Sequence, residues 1–76
     1  METNKNLNAL GMMCIDLTPN IKIALKDMQS EEVLEILCDD PGAVVGIPAW
    51  CRLTGNPLLE TKKVSDVESV YYIKKK

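Results

Sequence analysis

The chain has no histidine and no phenylalanine, and carries only one tryptophan and two tyrosines among 76 residues. Without histidine, neither a Ser-His nor a Cys-His pair can form within the chain, and His-containing zinc sites are excluded as well. The three cysteines, Cys14, Cys38 and Cys51, contain no CxxC pair, so their spacing offers no structural zinc site. The opening "METNKNLNALGMMC" has neither a basic leader nor a continuous apolar run, which argues against a signal peptide, a membrane span or a lipoprotein reading of "LGMMC". The cysteines are therefore expected as thiols in a reducing cytoplasm and not as a disulfide framework. No metal or cofactor is called for by any motif.

What is present is the composition of a small globular domain, 46% apolar and 26% charged, with room for a single domain over residues 1–76 and a thin core. The net charge of −2 is unevenly placed: residues 1–40 hold eight acids and three bases, and residues 41–76 three acids and six bases. This implies a weak dipole, not a nucleic-acid footprint. The terminal "IKKK" and the pair Lys62 and Lys63 read as solvated strand ends.

Lys5 to Leu10 alternates polar and apolar residues and ends at Gly11, which predicts a first strand with Leu7 and Ala9 inward. Thr18 and Pro19 resemble an N-cap and first helical position, and Ile21, Ala24, Leu25 and Met28 follow at helical spacing, predicting a helix from Pro19 to Gln29. Val33 to Cys38, stopped by "DDPG", predicts a second strand, parallel to the first across a right-handed crossover. Ala43 to Thr54 is helical in spacing, with Ile47, Trp50, Cys51 and Leu53 near one face and Gly55 as its stop; Pro48 favours a start near Gly46. Leu58 to Lys63 and Ser69 to Lys74 then predict a closing hairpin. The order βαβαββ implies an α/β two-layer sandwich, two helices on one face of a four-stranded mixed sheet.

Cys14 stands before a predicted helix N-terminus, whose amides and dipole favour a thiolate able to attack or carry sulfur. Asp16, two residues on, works against that charge. Local chemistry alone favours Cys14 packing beneath Met12 and Met13 as a small hydrophobe. Cys51 belongs to the core face of the second helix. Cys38 ends the second strand at the edge expected to hold Cys14, so it is a candidate resolving thiol. Asp39 and Asp40 are expected to close a turn and favour the second helix's start. Lys22 and Lys26, one helical turn apart, form a basic ridge that could dock an acidic partner.

Gly11 lies three residues before Cys14 in "GMMC"; "LEILCDDPGA" spans Leu34 to Ala43; "GIPAW" spans Gly46 to Trp50; Gly55 follows, and Tyr71 or Tyr72, Ile73 and Lys75 close the pattern. In this order, over nearly the whole chain, these landmarks resemble the TusA/SirA family of small sulfur-carrier proteins. The resemblance implies two helices on one side of a four-stranded sheet, similar to the C-terminal domain of a bacterial translation initiation factor. It further implies that Cys14 takes sulfane sulfur as a persulfide from a cysteine desulfurase or rhodanese-like donor. A relay acceptor would then receive it, as in tRNA thiolation or cofactor sulfur delivery. The family's CPxP motif reads "CIDL" here, with Ile15 and Leu17 at both proline positions, and Gly46 replaces an aspartate before "IPAW". The expectation is a carrier, and the alternative is a regulatory or interaction module of the same fold that has lost sulfur chemistry.

Overall fold

A computed structural model describes residues 3–76, apart from the side chain of Cys14. Six elements follow one another: β1 (Lys5–Ala9), α1 (Cys14–Lys26), β2 (Val33–Cys38), α2 (Ala43–Thr54), β3 (Leu58–Lys63) and β4 (Ser69–Lys74). The strands form one sheet in the order β1-β2-β4-β3, with β1 parallel to β2 and the remaining pairs antiparallel.

Alternation along the strands decides which face is covered. Leu7 pairs with Ile36 and Ile36 with Tyr71, so three apolar side chains make one row across the middle of the sheet. Ala9, Cys38 and Ser69 form the next row, and Lys5, Leu34 and Ile73 the row on the other side. Against this face α1 lays Leu17, Ile21, Ala24 and Leu25, the turn after it adds Met28, and α2 lays Ala43, Ile47 and Cys51, all in one buried cluster. The fold is therefore the βαβαββ two-layer sandwich expected from the sequence. Among the described residues, no helix is long and apolar enough to cross a membrane.

Both helices start earlier than their prolines suggest. In α1 the first helical residue is Cys14, with Met13 as N-cap, and Pro19 lies inside the helix. The reason is Leu17, fully buried on the stripe that continues through Ile21 and Leu25, so the helix must already be wound before Pro19. At its sixth position Pro19 removes one helical bond, to the carbonyl of the exposed Ile15, while the Asn20 side-chain amide donates to the next carbonyl, Asp16, at 2.7 Å. The helix also ends at Lys26 instead of Gln29, with Asp27 as C-cap.

In α2 the start is Ala43, not the vicinity of Gly46, because fully buried Ala43 shares a stripe with Ile47 and Cys51. Gly46 lies within the first turn, its N–H donating to the Gly42 carbonyl at 2.9 Å, so its position is not a cap. Leu53 does not join the core face and is 86% exposed, whereas Trp50 packs half-buried against the core. Gly55 ends α2 as expected: its φ of 79° is left-handed, and its N–H donates to the Cys51 carbonyl. β1 stops at Ala9, and Leu10 enters a turn whose N–H donates to the Asn8 Oδ1.

Ile36 sits at the centre of the three-strand row, so Ile36→Ala is expected to lower urea-measured stability by about 2–5 kcal/mol. Leu53→Ala should change it by less than about 0.5 kcal/mol. Comparable losses at both positions would contradict this assignment of the core.

Candidate functional site: the thiol edge of the sheet

Because β1 and β2 are parallel, Ala9 stands beside Cys38 and both chains leave the sheet at the same edge. β4 runs the other way and pairs its first residue, Ser69, with Cys38, which brings the β3–β4 connection to that edge too. Three loops thus meet where α1 begins. Gly11 takes a left-handed φ of 81°, and its N–H donates to Asp39 Oδ1 at 2.9 Å, tying the β1–α1 loop to the β2–α2 loop. Asp40 Oδ1 accepts the Gly42 N–H at 3.2 Å and its carbonyl accepts Ala43 N–H at 3.0 Å, so the two aspartates do close the turn and lead into α2.

Cys14 is the opening residue of α1, whereas a start at Pro19 would leave it five residues ahead of the helix. Met13 supplies no side-chain cap; its carbonyl accepts the N–H groups of Asp16 at 2.9 Å and Leu17 at 2.8 Å. The start of the helix therefore carries its positive end at Cys14, with exposed Asp16 as the opposing charge in the first turn. Leu17, at a proline position of the CPxP pattern, makes that turn-closing hydrogen bond, which a proline could not, and adds a buried side chain. Ile15, at the other proline position, is 78% exposed, and Met13 beside it is 67% exposed. Met12 packs half-buried on the core. Beyond the tied loops, Asp39, Asp40 and Val44 face Lys63, Asp66 and Val67 around a cavity of about 430 Å³.

The other cysteines lie in the core. Cys38 is buried, and its Sγ accepts the Asp40 N–H at 3.4 Å. Cys51 is buried as expected, and burial pushes its thiol up to about 11 from 9.0. Burial also raises Tyr71, reinforced by Cys38 and Asp40 and opposed by a hydrogen bond to Ser69. On the uncovered face a hydrogen bond to Glu35 raises Tyr72, whose ring lies 5.5 Å from Lys62 Nζ. Among the described residues, no cluster of three or more acidic or cysteine side chains is placed to hold a metal ion.

Lys22 and Lys26 are exposed on α1, roughly 12 and 18 Å along the helix axis from Cys14 at 1.5 Å per residue. They are not gathered at the thiol edge. Instead they border a second cavity, of about 380 Å³, together with Leu25, Trp50, Thr54, Asn56 and Lys75. The sequence reading missed Trp50 and Lys75 as neighbours of these lysines; the only signal was that both recur among the family landmarks.

The family model for Sulfurtransferase TusA matches residues 5–75. The chain belongs to the TusA family. Within that family it is similar to the sulfur carrier protein TusA of Allochromatium vinosum, 35% identical over 60 residues that cover 79% of this chain and 79% of the relative. It is also similar to the putative sulfur carrier protein YrkI of Bacillus subtilis, 31% identical over 67 residues, covering 88% of this chain and 89% of the relative. A putative sulfur carrier protein of Archaeoglobus fulgidus is 32% identical over 76 residues, 100% of this chain and 86% of the relative.

Two measurements probe this geometry. Since the folded Cys51 thiol holds its proton to about 11 and the unfolded one only to 9.0, stability should fall as pH rises through that window, with a shallower fall in Cys51→Ala. An unchanged alkaline slope in the variant would contradict the assignment. Asp39→Ala removes the acceptor for Gly11 N–H, so hydrogen exchange at Gly11 should accelerate while the β2 amides keep their protection.

Proposed function

We propose that this chain is a small sulfur carrier that receives sulfane sulfur on Cys14 and hands it to a partner protein. The observation that carries the reading is the position of Cys14: first residue of an uncapped helix N-terminus, on an edge where Ile15 and Met13 stand exposed for contact. Membership of the TusA family and the carrier names of its relatives support it.

In the loading step the Cys14 thiolate attacks the outer sulfur of a donor persulfide, R–S–SH. The donor's S–S bond breaks, a new S–S bond forms at Cys14, the proton stays on the transferred sulfur, and the donor leaves as a thiolate. No oxidant is consumed. Unloading is the same step reversed in direction, an acceptor thiolate attacking the outer sulfur and Cys14 leaving. The helix N-terminus stabilises the anion at the start and end of each cycle. The donor is a cysteine desulfurase or rhodanese-like protein and the acceptor a relay protein in a thiolation or cofactor-sulfur pathway, working in the cytoplasm. Lys22 and Lys26 act in docking.

Cys38 enters as a resolving thiol only when it leaves the core, where it would attack the inner sulfur of Cys14 persulfide, form a Cys14–Cys38 disulfide and release hydrogen sulfide. Its burial favours relay to an external acceptor. A second reading, an interaction module without sulfur chemistry, is favoured by the loss of both prolines beside Cys14.

Intact-mass spectrometry after exposure to inorganic polysulfide separates these readings. A carrier gains one reductant-labile sulfur, mapped to Cys14 and absent from a folded Cys14→Ser protein. No loading of the native protein, or equal loading of the variant, would leave the interaction module as the reading that stands.

A further inference from the structure

The loop that delivers Cys14 to α1 is fixed from both sides. Upstream, Leu10 N–H donates to Asn8 Oδ1 at 3.1 Å and Met12 N–H to the Ala9 carbonyl at 3.1 Å, both within the segment itself. Of these three amides, that of Gly11 alone reaches another part of the chain, Asp39 Oδ1 at 2.9 Å. Gly11 has a φ of 81° and a Cβ there would meet nothing within 4 Å, so glycine is required by the backbone conformation and not by space. Asp39 is itself braced: it follows Cys38, which is buried and paired with both Ala9 and Ser69, and it precedes Asp40, whose N–H donates to Cys38 Sγ at 3.4 Å. Downstream, fully buried Leu17 closes the first helical turn through its N–H to the Met13 carbonyl at 2.8 Å. Cys14 therefore lies midway between two anchors, three residues after Gly11 and three before Leu17. The exposed side chains of Met13 and Ile15 add little to that hold.

We propose that Asp39 is a positioning residue for Cys14: through the Gly11 N–H it keeps Cys14 seated as the first residue of α1, where the helix amides stabilise the thiolate. Uncapped helix ends fray, and the favourable interaction of an anion with the helix falls off within the first turn, so a frayed Cys14 loses it. The hydrogen bond and the charge of Asp39 act on the thiolate in opposite directions, and substitution separates them. Asparagine keeps the Oδ1 acceptor and drops the charge, whereas alanine drops both. The other charges of this edge, Asp16 on α1, Asp40 beside Asp39, and Lys63 and Asp66 from the end of β3 and the connection after it, stay constant through such a series. The consequence for sulfur transfer, which rests on the carrier reading, falls on the hand-off: Cys14 is the leaving thiolate there, and a more stable thiolate leaves faster.

The pH dependence of iodoacetamide alkylation tests this, mapped to Cys14 by peptide mass, with Cys14→Ser giving the background from the buried Cys38 and Cys51. Asp39→Ala should titrate about half a unit above Asp39→Asn, the size of a helix-terminus interaction. Gly11→Ala, strained by its left-handed φ while the Asp39 charge is intact, should rise by a similar amount over the native protein. Gly11→Asn, which tolerates that conformation, should stay at the native value. A bond that only held the fold together would lower the unfolding midpoint and leave the Cys14 titration where it was. Equal or inverted values for Asp39→Ala and Asp39→Asn, or a native value in Gly11→Ala, would overturn the proposal, and the Gly11 pair decides if Asp39→Ala does not fold. Alkylation needs no sulfur chemistry, so polysulfide loading run on the same proteins keeps the two claims apart. A protein that shows the expected order of titrations and takes up no sulfur contradicts the carrier reading and leaves the Asp39 assignment intact.

Discussion

The parallel pairing of β1 with β2 is the constraint from which the site follows. It sends both chains off the sheet at one edge, and the helix that must return between them begins at that edge with Cys14. The Gly11–Asp39 hydrogen bond then holds the two loops to each other. An antiparallel β1 would have placed the start of α1 at the far end, among the lysines. The same topology divides the molecule chemically. Asp16, Asp39, Asp40 and Asp66 collect at the thiol edge, and Lys5, Lys22, Lys26, Lys74 and Lys75 collect toward the other.

Burial decided where the helices begin. Two prolines at the sixth helical position each forfeit one backbone bond, and in each helix a residue upstream of the proline is fully buried: Leu17 in α1 and Ala43 in α2. Starting the helix later would keep the proline unstrained but take that residue off the apolar stripe. Packing a leucine-sized group is worth about 1.5–3 kcal/mol, comparable with the roughly 3 kcal/mol cost of an interior proline, so local proline preference does not by itself set the boundary. In α1 the outcome matters for chemistry, because it puts Cys14 in the helix and not ahead of it.

Strand positions, topology and the stop at Gly55 were legible because each is written in a local pattern: alternation in β2 and β4, a parallel crossover, and a glycine whose left-handed φ the structure bears out. Helix starts were not, since proline's local preference outweighed the tertiary demand of Leu17 and Ala43 in the reading. Leu53 was misplaced for a related reason: two residues past Cys51, it turns to the exposed side of α2. That a helix follows the "GMMC" loop was readable, but not that Cys14 is its first residue. The lysine groove was only half readable, because Lys75 joins Lys22 and Lys26 through the fold and not through spacing.

In the proposed carrier the thiol edge is the working part and the sheet with its packed helices is scaffold. Comparing amide NMR spectra of the protein before and after persulfidation tests that division most directly. The account predicts shifts concentrated from Gly11 to Leu17 and, through the Gly11–Asp39 bond, at Asp39 and Asp40, with β3, β4 and the end of α2 unmoved. Shifts centred on the sheet or the lysine groove, with the α1 N-terminus unchanged, would contradict it.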